Sequence, residues 1–282
     1  MAFRAERFTR PRLRGVHLAV FHFGDASAPP LVLLHGAGAN ARWWDHLAPR
    51  LARSFHVVAL DFRGHGRSDF PEELLPGAFR DDLEALLEHL GAPDAALVGH
   101  SLGAHVALGH AASCPGTRAL VLVDPTRGAS ASRKRATRLA LSLRPSYASR
   151  EEALERFQFL PGPAHVDEAL RRSIAEHSVA PQPDGRFGFR FDPRWFGVPD
   201  RDRPDPRAVR APVLLLRGAE SPLLTAAGAA ELAREIPGAR LVEIPGAGHH
   251  AQLEQPAACL EAIEPFLLAC HEAEAPRATL AP

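Results

Sequence analysis

Leu97-Val98-Gly99-His100-Ser101-Leu102-Gly103 is the stretch on which the reading of this chain turns. An apolar run, residues 95–98, leads into Gly-x-Ser-x-Gly, and a segment rich in small residues, 102–114, follows with helical length. A serine at such a junction sits on a sharp strand-to-helix turn, with its hydroxyl above the sheet edge. Gly99 and Gly103 leave room for the turn's close backbone contacts. The N–H of Leu102 then lies at a helix N-terminus, where it can stabilise an oxyanion. Ser101 is thereby a candidate nucleophile; the plainer alternative is an ordinary turn serine.

Outward from that turn, short apolar runs alternate with longer helical stretches. Residues 31–34, 55–60, 95–98, 119–123, 213–216 and 240–244 read as buried parallel strands. Residues 42–53, 79–90, 102–114, 226–236 and 256–270 have helical length and periodicity. Such alternation predicts an α/β fold with a mostly parallel, doubly wound sheet. Residues 16–23 alternate enough for an antiparallel edge strand ahead of it. The alternation breaks once. Residues 126–209 hold amphipathic pieces at 150–159 and 166–177, interrupted by Pro161, Pro163, Pro181 and Pro183. The stretch leaves one strand and returns at the next, which predicts a mainly helical cap over the carboxyl edge of the sheet, where open α/β sheets bind ligands. Residues 1–125 and 210–270 then form the core, and 271–282 a loose tail.

Composition narrows the function. Apolar residues at 46% and charged residues at 23% suit a globular domain with a full core. The 33 basic side chains balance 33 acidic ones, which gives no case for nucleic acid or an anionic membrane as partner. Cys114, Cys259 and Cys270 show neither metal-type spacing nor a paired framework, as expected of a reducing cytoplasm. Residues 1–14 are studded with charge and lack the apolar core of about 7–15 residues that a secretory signal needs. No apolar run reaches the roughly 20 residues of a membrane helix. The expectation is a cytoplasmic monomer or homodimer acting on a small molecule.

Three further motifs fall where serine chemistry needs them. His35-Gly36-Ala37-Gly38 follows the first parallel strand, and its glycine-rich turn can aim the N–H of Ala37 at an oxyanion. Asp61-Phe62-Arg63-Gly64-His65-Gly66-Arg67-Ser68 closes the second strand, and Gly246-Ala247-Gly248-His249 follows the last, with Glu254 and Pro256 beyond. Together these motifs, which span residues 35–256, resemble the α/β-hydrolase fold family in its capped, esterase-like form. The resemblance implies a triad in the chain order Ser, then Asp or Glu, then His, with Ser101 attacking and His249 acting as general base and then acid. It also implies an oxyanion hole from the N–H groups of Leu102 and Ala37. The family's Gly-x-Gly-His pattern selects His249 over its neighbour His250, and assigns His35, His65 and His100 to holding loops.

The acid departs from the family's usual pattern. Many relatives carry Gly-x-x-Asp after the strand that here spans 213–216, but this chain reads Gly218-Ala219-Glu220-Ser221. Ser221 cannot stabilise an imidazolium by charge. Asp124, which ends the strand after the nucleophile helix, is the first candidate, because some relatives place the acid there. Glu220, one residue from the usual place, is the second, and a dyad without an acid the third. Aspartate at the elbow serves relatives that open epoxides or displace halide, so Ser101 argues against both.

What remains is acyl transfer to water on an ester, thioester or lactone of a small to medium apolar substrate, with no metal or cofactor implied. One alternative is a carbon–carbon bond hydrolase for ring-cleavage products, with Arg190 or Arg194 holding a carboxylate. Another is a ligand-binding protein with a vestigial triad. Phe157, Phe159, Phe189 and Trp195 are the candidate substrate contacts, although packing of the cap explains the same aromatics. Residues 127–150 carry seven positive side chains and no acid; they read as a solvated helix face, with attraction of an anionic group as the alternative.

Overall fold

A computed structural model describes residues 5–162, 164–198 and 204–273. Pro163 and most of the expected tail lie outside them. Strand β1 (Arg7–Thr9) is followed by a small hairpin, β2 (Arg12–Leu13) with β3 (Val16–His17), and then by β4 (Val20–Phe23) and β5 (Pro30–Leu34). A short helix α1 (Ala48–Leu51) precedes β6 (His56–Leu60), α2 (Ala78–Leu90), β7 (Ala96–His100), α3 (Leu102–Ser113) and β8 (Leu120–Val123). The core resumes with β11 (Val213–Gly218), α7 (Ala226–Glu235), β12 (Arg240–Ile244), α8 (Ala251–Glu254) and α9 (Pro256–Glu272).

Eight strands form one sheet in the order β1-β4-β6-β5-β7-β8-β11-β12. The six from β6 to β12 run parallel, and β1 and β4 are antiparallel at one side. Apolar side chains of each central strand feed two cores in alternation. Val32, Leu34, Leu97, Leu120, Leu122, Val213 and Leu215 face one layer of helices. Leu31, Leu33, Val98, Val121, Val123, Leu214 and Leu216 face the other. Burial on both faces is why these strands read as unbroken apolar runs.

Three expectations need correction. Residues 16–23 are not one edge strand: only Val20–Phe23 joins the sheet, and β1 covers its outer side through Arg7↔His22 and Thr9↔Val20. The charged N-terminal stretch hides that extra strand. Residues 42–53 are not one helix but a 3₁₀ turn, Ala41–Trp44, followed by α1. Pro49 has no N–H with which to continue the ladder from the preceding turn, so the helix begins anew at Ala48. Residues 240–244 form a parallel strand, but one on the open edge of the sheet, and only Ile244 is buried. In addition, α9 extends to Glu272, two residues into the stretch expected to be loose.

Between β8 and β11 the chain forms α4 (Ala131–Ser142), α5 (Arg150–Glu155) and α6 (Glu168–Ser178). A two-stranded ribbon, β9 (Val179–Pro181) with β10 (Phe187–Phe189), follows. Phe157, Phe159, Ile174, Ala175 and Val179 bury themselves with Trp43 and Leu253 of the core in a separate apolar cluster. Main-chain pairing of Phe191 with His65 is a second tie between this segment and the core. Among the described residues no helix is long and apolar enough to cross a membrane.

Candidate active site

The turn after β7 is as tight as its glycines require. A Cβ on Gly99 would collide with the carbonyl of Gly103, and one on Gly103 with the carbonyl of Leu34. Between them Ser101 is held at φ 51 and ψ −111, a conformation that non-glycine residues rarely adopt. Its N–H is bonded to Val123 O at 3.0 Å, so the strand ladder supports the strained residue. A Cβ on Gly36 would press on His100 and Ser101, so only glycine lets the loop after β5 approach the serine.

At the end of β8, Asp124 also has a positive φ, 47. Its side chain is fully buried and receives several donors. Gly218 N–H donates to Oδ2 at 2.9 Å, and Ser221 Oγ donates to Oδ1 at 2.6 Å. His249 Nδ1 meets the same Oδ1 at 2.8 Å. The other ring nitrogen of His249, Nε2, lies 3.0 Å from Ser101 Oγ. Residues 101, 124 and 249 are thus joined in one hydrogen-bonded chain. Glu220 is not part of it. Its side chain is exposed, and only its N–H contributes, bracing the histidine loop through Ala247 O at 2.9 Å.

His249 is aimed by its loop. Gly218 packs so closely on the carbonyl of Gly248 that a side chain there would displace the loop, and Glu254 accepts the Gly248 N–H at 2.7 Å. His250 is buried beside it, and burial with two neighbouring imidazoles, His249 and His100, holds its pKa well below the ordinary value. His100 donates from Nε2 to the carbonyl of His249 at 2.9 Å. Burial first, and His249 second, push its pKa down to about 3, so it works as a neutral strut. His35 donates from Nδ1 to Gly36 O at 2.7 Å and accepts from Phe62 N–H at 3.1 Å, which fixes the loop that carries Ala37. His65 accepts the Gly38 N–H at 3.3 Å, and burial lowers its pKa to about 4.

The N–H groups of Ala37 and Leu102 meet no acceptor among the described residues, and both residues line the cavity that contains Ser101 and His249. That arrangement can receive an oxygen carrying negative charge. The cavity measures about 840 Å³. Of the four aromatic residues expected to touch substrate, only Trp195 lines it, together with Phe196, Phe79 and Trp43. Phe157 and Phe159 are instead consumed in the apolar cluster around Trp43, and Phe189 lines a separate groove with Arg190 and Phe191. Packing of that segment onto the core takes these three rings away from the serine.

Arg190 and Arg194 do not reach the cavity either. Arg194 is spent on Asp192 and on the carbonyls of Pro71 and Glu72, while Arg190 donates to Val179 O at 3.3 Å. The cations that do line the cavity from the 127–150 run include Lys134 and Arg138, which a reading of that run as a solvated face passes over. Their one-turn spacing on α4 is the signal that could have found them. Among the described residues no three His, Cys, Asp or Glu side chains converge as metal ligands would.

Comparison with known proteins agrees with this architecture. The family model described as the alpha/beta hydrolase family matches residues 31–262. The chain is 30% identical over 258 residues to 2-(acetamidomethylene)succinate hydrolase of Mesorhizobium japonicum, covering 86% of this chain and 88% of that one. It is 32% identical over 254 residues to an esterase of Mycobacterium tuberculosis, covering 86% and 83%. The crystal structure of E-2-(acetamidomethylene)succinate hydrolase superposes with a TM-score of 0.79 at 29% identity, over 93% of this chain and 99% of that one. With this sheet order, this serine turn and these relatives, the chain belongs to the alpha/beta hydrolase family.

Proposed function

We propose that the protein is a serine hydrolase that cleaves a carboxylic ester, thioester or lactone through an acyl-enzyme, with residues 126–209 as its cap. The carrying observation is the unbroken chain Ser101 Oγ–His249 Nε2 at 3.0 Å and His249 Nδ1–Asp124 Oδ1 at 2.8 Å, opening into a cavity. In the first step Ser101 Oγ attacks the carbonyl carbon while His249 Nε2 takes its proton. Asp124, accepting from His249 Nδ1–H, stabilises the imidazolium that forms. The oxygen that becomes negative is met by the N–H groups of Ala37 and Leu102. Collapse expels the alcohol or thiol, which leaves with the proton from His249. Water then repeats the sequence on the acyl-serine, releasing the acid.

The test is hydrolysis of short-chain p-nitrophenyl esters together with labelling by a fluorophosphonate. Ser101→Ala is expected to abolish the label and to lower turnover by about 10⁶-fold. Ester hydrolysis that survives Ser101→Ala at the parent rate would overturn the reading. So would a parent enzyme that neither turns over these esters nor takes the label.

A further inference from the structure

The inner side of α4 presents Lys134, Thr137, Arg138 and Leu141 to the serine cavity, spaced as one face of a helix should be. Leu141 anchors that face: its Cδ2 lies 3.0 Å from where a Cβ on Gly38 would sit, in the turn that carries Ala37. The last turn of the helix therefore lies beside the oxyanion turn. Arg138 stands one turn before Leu141 and Lys134 two turns before it, about 5 and 10 Å along the axis. Lys134 is the only lysine of the chain.

Neither Lys134 nor Arg138 has an ion-pair partner among the described residues. Arg127, on the same cavity, differs in being neutralised by Glu231 at 3.4 Å and Glu235 at 2.7 Å. Glu231, the acid that lines the cavity, is thus already paired. Among the described residues the cavity lining keeps an excess of positive charge, and Lys134 and Arg138 are its cations without an ion-pair partner. A low-dielectric wall on one side of such a pair focuses its field into the cavity.

We infer that Lys134 and Arg138 select substrates that carry an anionic group, a carboxylate or a phosphate, directed along α4 about 5–10 Å beyond the oxyanion turn. This rests on the serine-hydrolase reading above, whose substrate class it names. The anion can sit on the acyl half, as in the monoester of a dicarboxylic acid, or on the leaving group, as in a phosphorylated thiol. Both meet the same two cations.

Two substrate pairs distinguish these sources. The first is mono-p-nitrophenyl adipate against its methyl ester. The second is the acetyl thioester of 2-mercaptoethyl phosphate against that of 2-mercaptoethanol. The parent is expected to prefer the anionic member of at least one pair by about tenfold or more in kcat/KM, and the pair that shows it names the half that bears the charge. The double variant Lys134→Gln, Arg138→Gln should reduce that ratio to within about twofold of unity. Arg133→Gln, Arg135→Gln removes equal charge from residues of α4 that do not line the cavity and should leave the ratio unchanged.

A ratio near unity for both pairs in the parent overturns the inference. An equal fall of the ratio in both double variants does the same, because only net charge would then matter. Binding of adipate against adipamide, measured by calorimetry on the parent and both double variants, needs no turnover. If esters are not hydrolysed and Ser101 takes no label, the serine-hydrolase reading fails alone. Weakening of adipate by about tenfold in the Lys134, Arg138 variant, with adipamide unaffected, still sustains the anion site, and equal adipate affinity in all three proteins ends it.

Discussion

The carboxyl edge of the sheet and the segment folded over it are held by different kinds of force. At the edge, Ser101 and Asp124 both sit at positive φ, and the loops that bear Ala37 and His249 pass so close to their neighbours that Gly36 and Gly218 admit no side chain. The reacting residues and their struts are joined by hydrogen bonds: His249 with Ser101 and Asp124, His100 with His249 O, His35 with Gly36 O. The described part of the segment 126–209 rests on a cluster of rings, Phe157, Phe159 and Trp43, is tied to the core by main-chain bonds such as Gly66 N–H to Arg190 O, and presents most of α4 to water. Directional bonds define positions to fractions of an ångström, whereas apolar contacts define only that a surface is covered. The edge can therefore carry chemistry and the segment can carry selectivity, which tolerates change.

The sharpest way to break that contrast is at Asp124. Asp124→Asn keeps the shape of the side chain but removes its charge and alters what it can accept from His249. Turnover on a short ester should fall about 10⁴-fold. Glu220→Ala should leave it nearly intact, because the exposed carboxylate meets nothing in the chain of bonds. Comparable losses in the two variants would mean that the acid is not where the hydrogen bonds run.

That contrast also explains what could be read from the residues alone. The serine turn, the histidine loop and the central strands were legible because each is a local pattern: glycines at fixed offsets from a reactive side chain, or apolar runs of strand length. Asp124 could be offered only beside Glu220, since choosing between them needs the distance across two strands. Ser221 looked like a gap in the pattern, yet it donates to Asp124 at 2.6 Å and so belongs to the site. The aromatic residues of the segment were the hardest. Phe157 and Trp195 are both large aromatic side chains, and nothing local says that one fills a core while the other faces the cavity. The cation pair on α4 was hidden among neighbours of the same charge, Arg133 and Arg135, which do not line the cavity.

The second prediction probes the apolar side. Phe157→Ala opens a hole in the cluster shared with Trp43 and should destabilise the protein by about 3–5 kcal/mol in denaturant melts. Its effect on turnover of a small ester at low temperature should be far smaller than that of Asp124→Asn. If the order is reversed, the ring takes part in the reaction after all.

The third concerns the seam between the two regions, where His65 accepts from Gly38 N–H and its main chain pairs with Phe191. Burial lowers its pKa to about 4, against 6.5 for the free side chain. The unfolded chain therefore takes up a proton as pH falls below 6.5 and the folded protein does not. The resulting stability is fully present above pH 6.5 and is lost as pH falls toward 4. Between pH 7 and pH 5, His65→Gln should reduce the loss of unfolding free energy by about 1–2 kcal/mol. An unchanged slope would show that the imidazole is protonated in the fold, and that the seam is held by charge rather than by a neutral acceptor.

A smaller loss than that at Asp124 is expected at Ser221, and it tests whether the edge is as cooperative as its geometry implies. Ser221 Oγ and His249 Nδ1 share one oxygen of Asp124, while Leu223 and Leu224 N–H groups in turn donate to Ser221 Oγ at 3.2 and 3.1 Å. Ser221→Ala leaves the charge of Asp124 in place but removes one of the donors that orient it, so turnover should fall by about tenfold. Ser221→Thr keeps the hydroxyl and should recover most of that loss. If alanine and threonine behave alike, the added methyl or the lost packing is responsible, and orientation of the carboxylate then comes from Gly218 N–H alone.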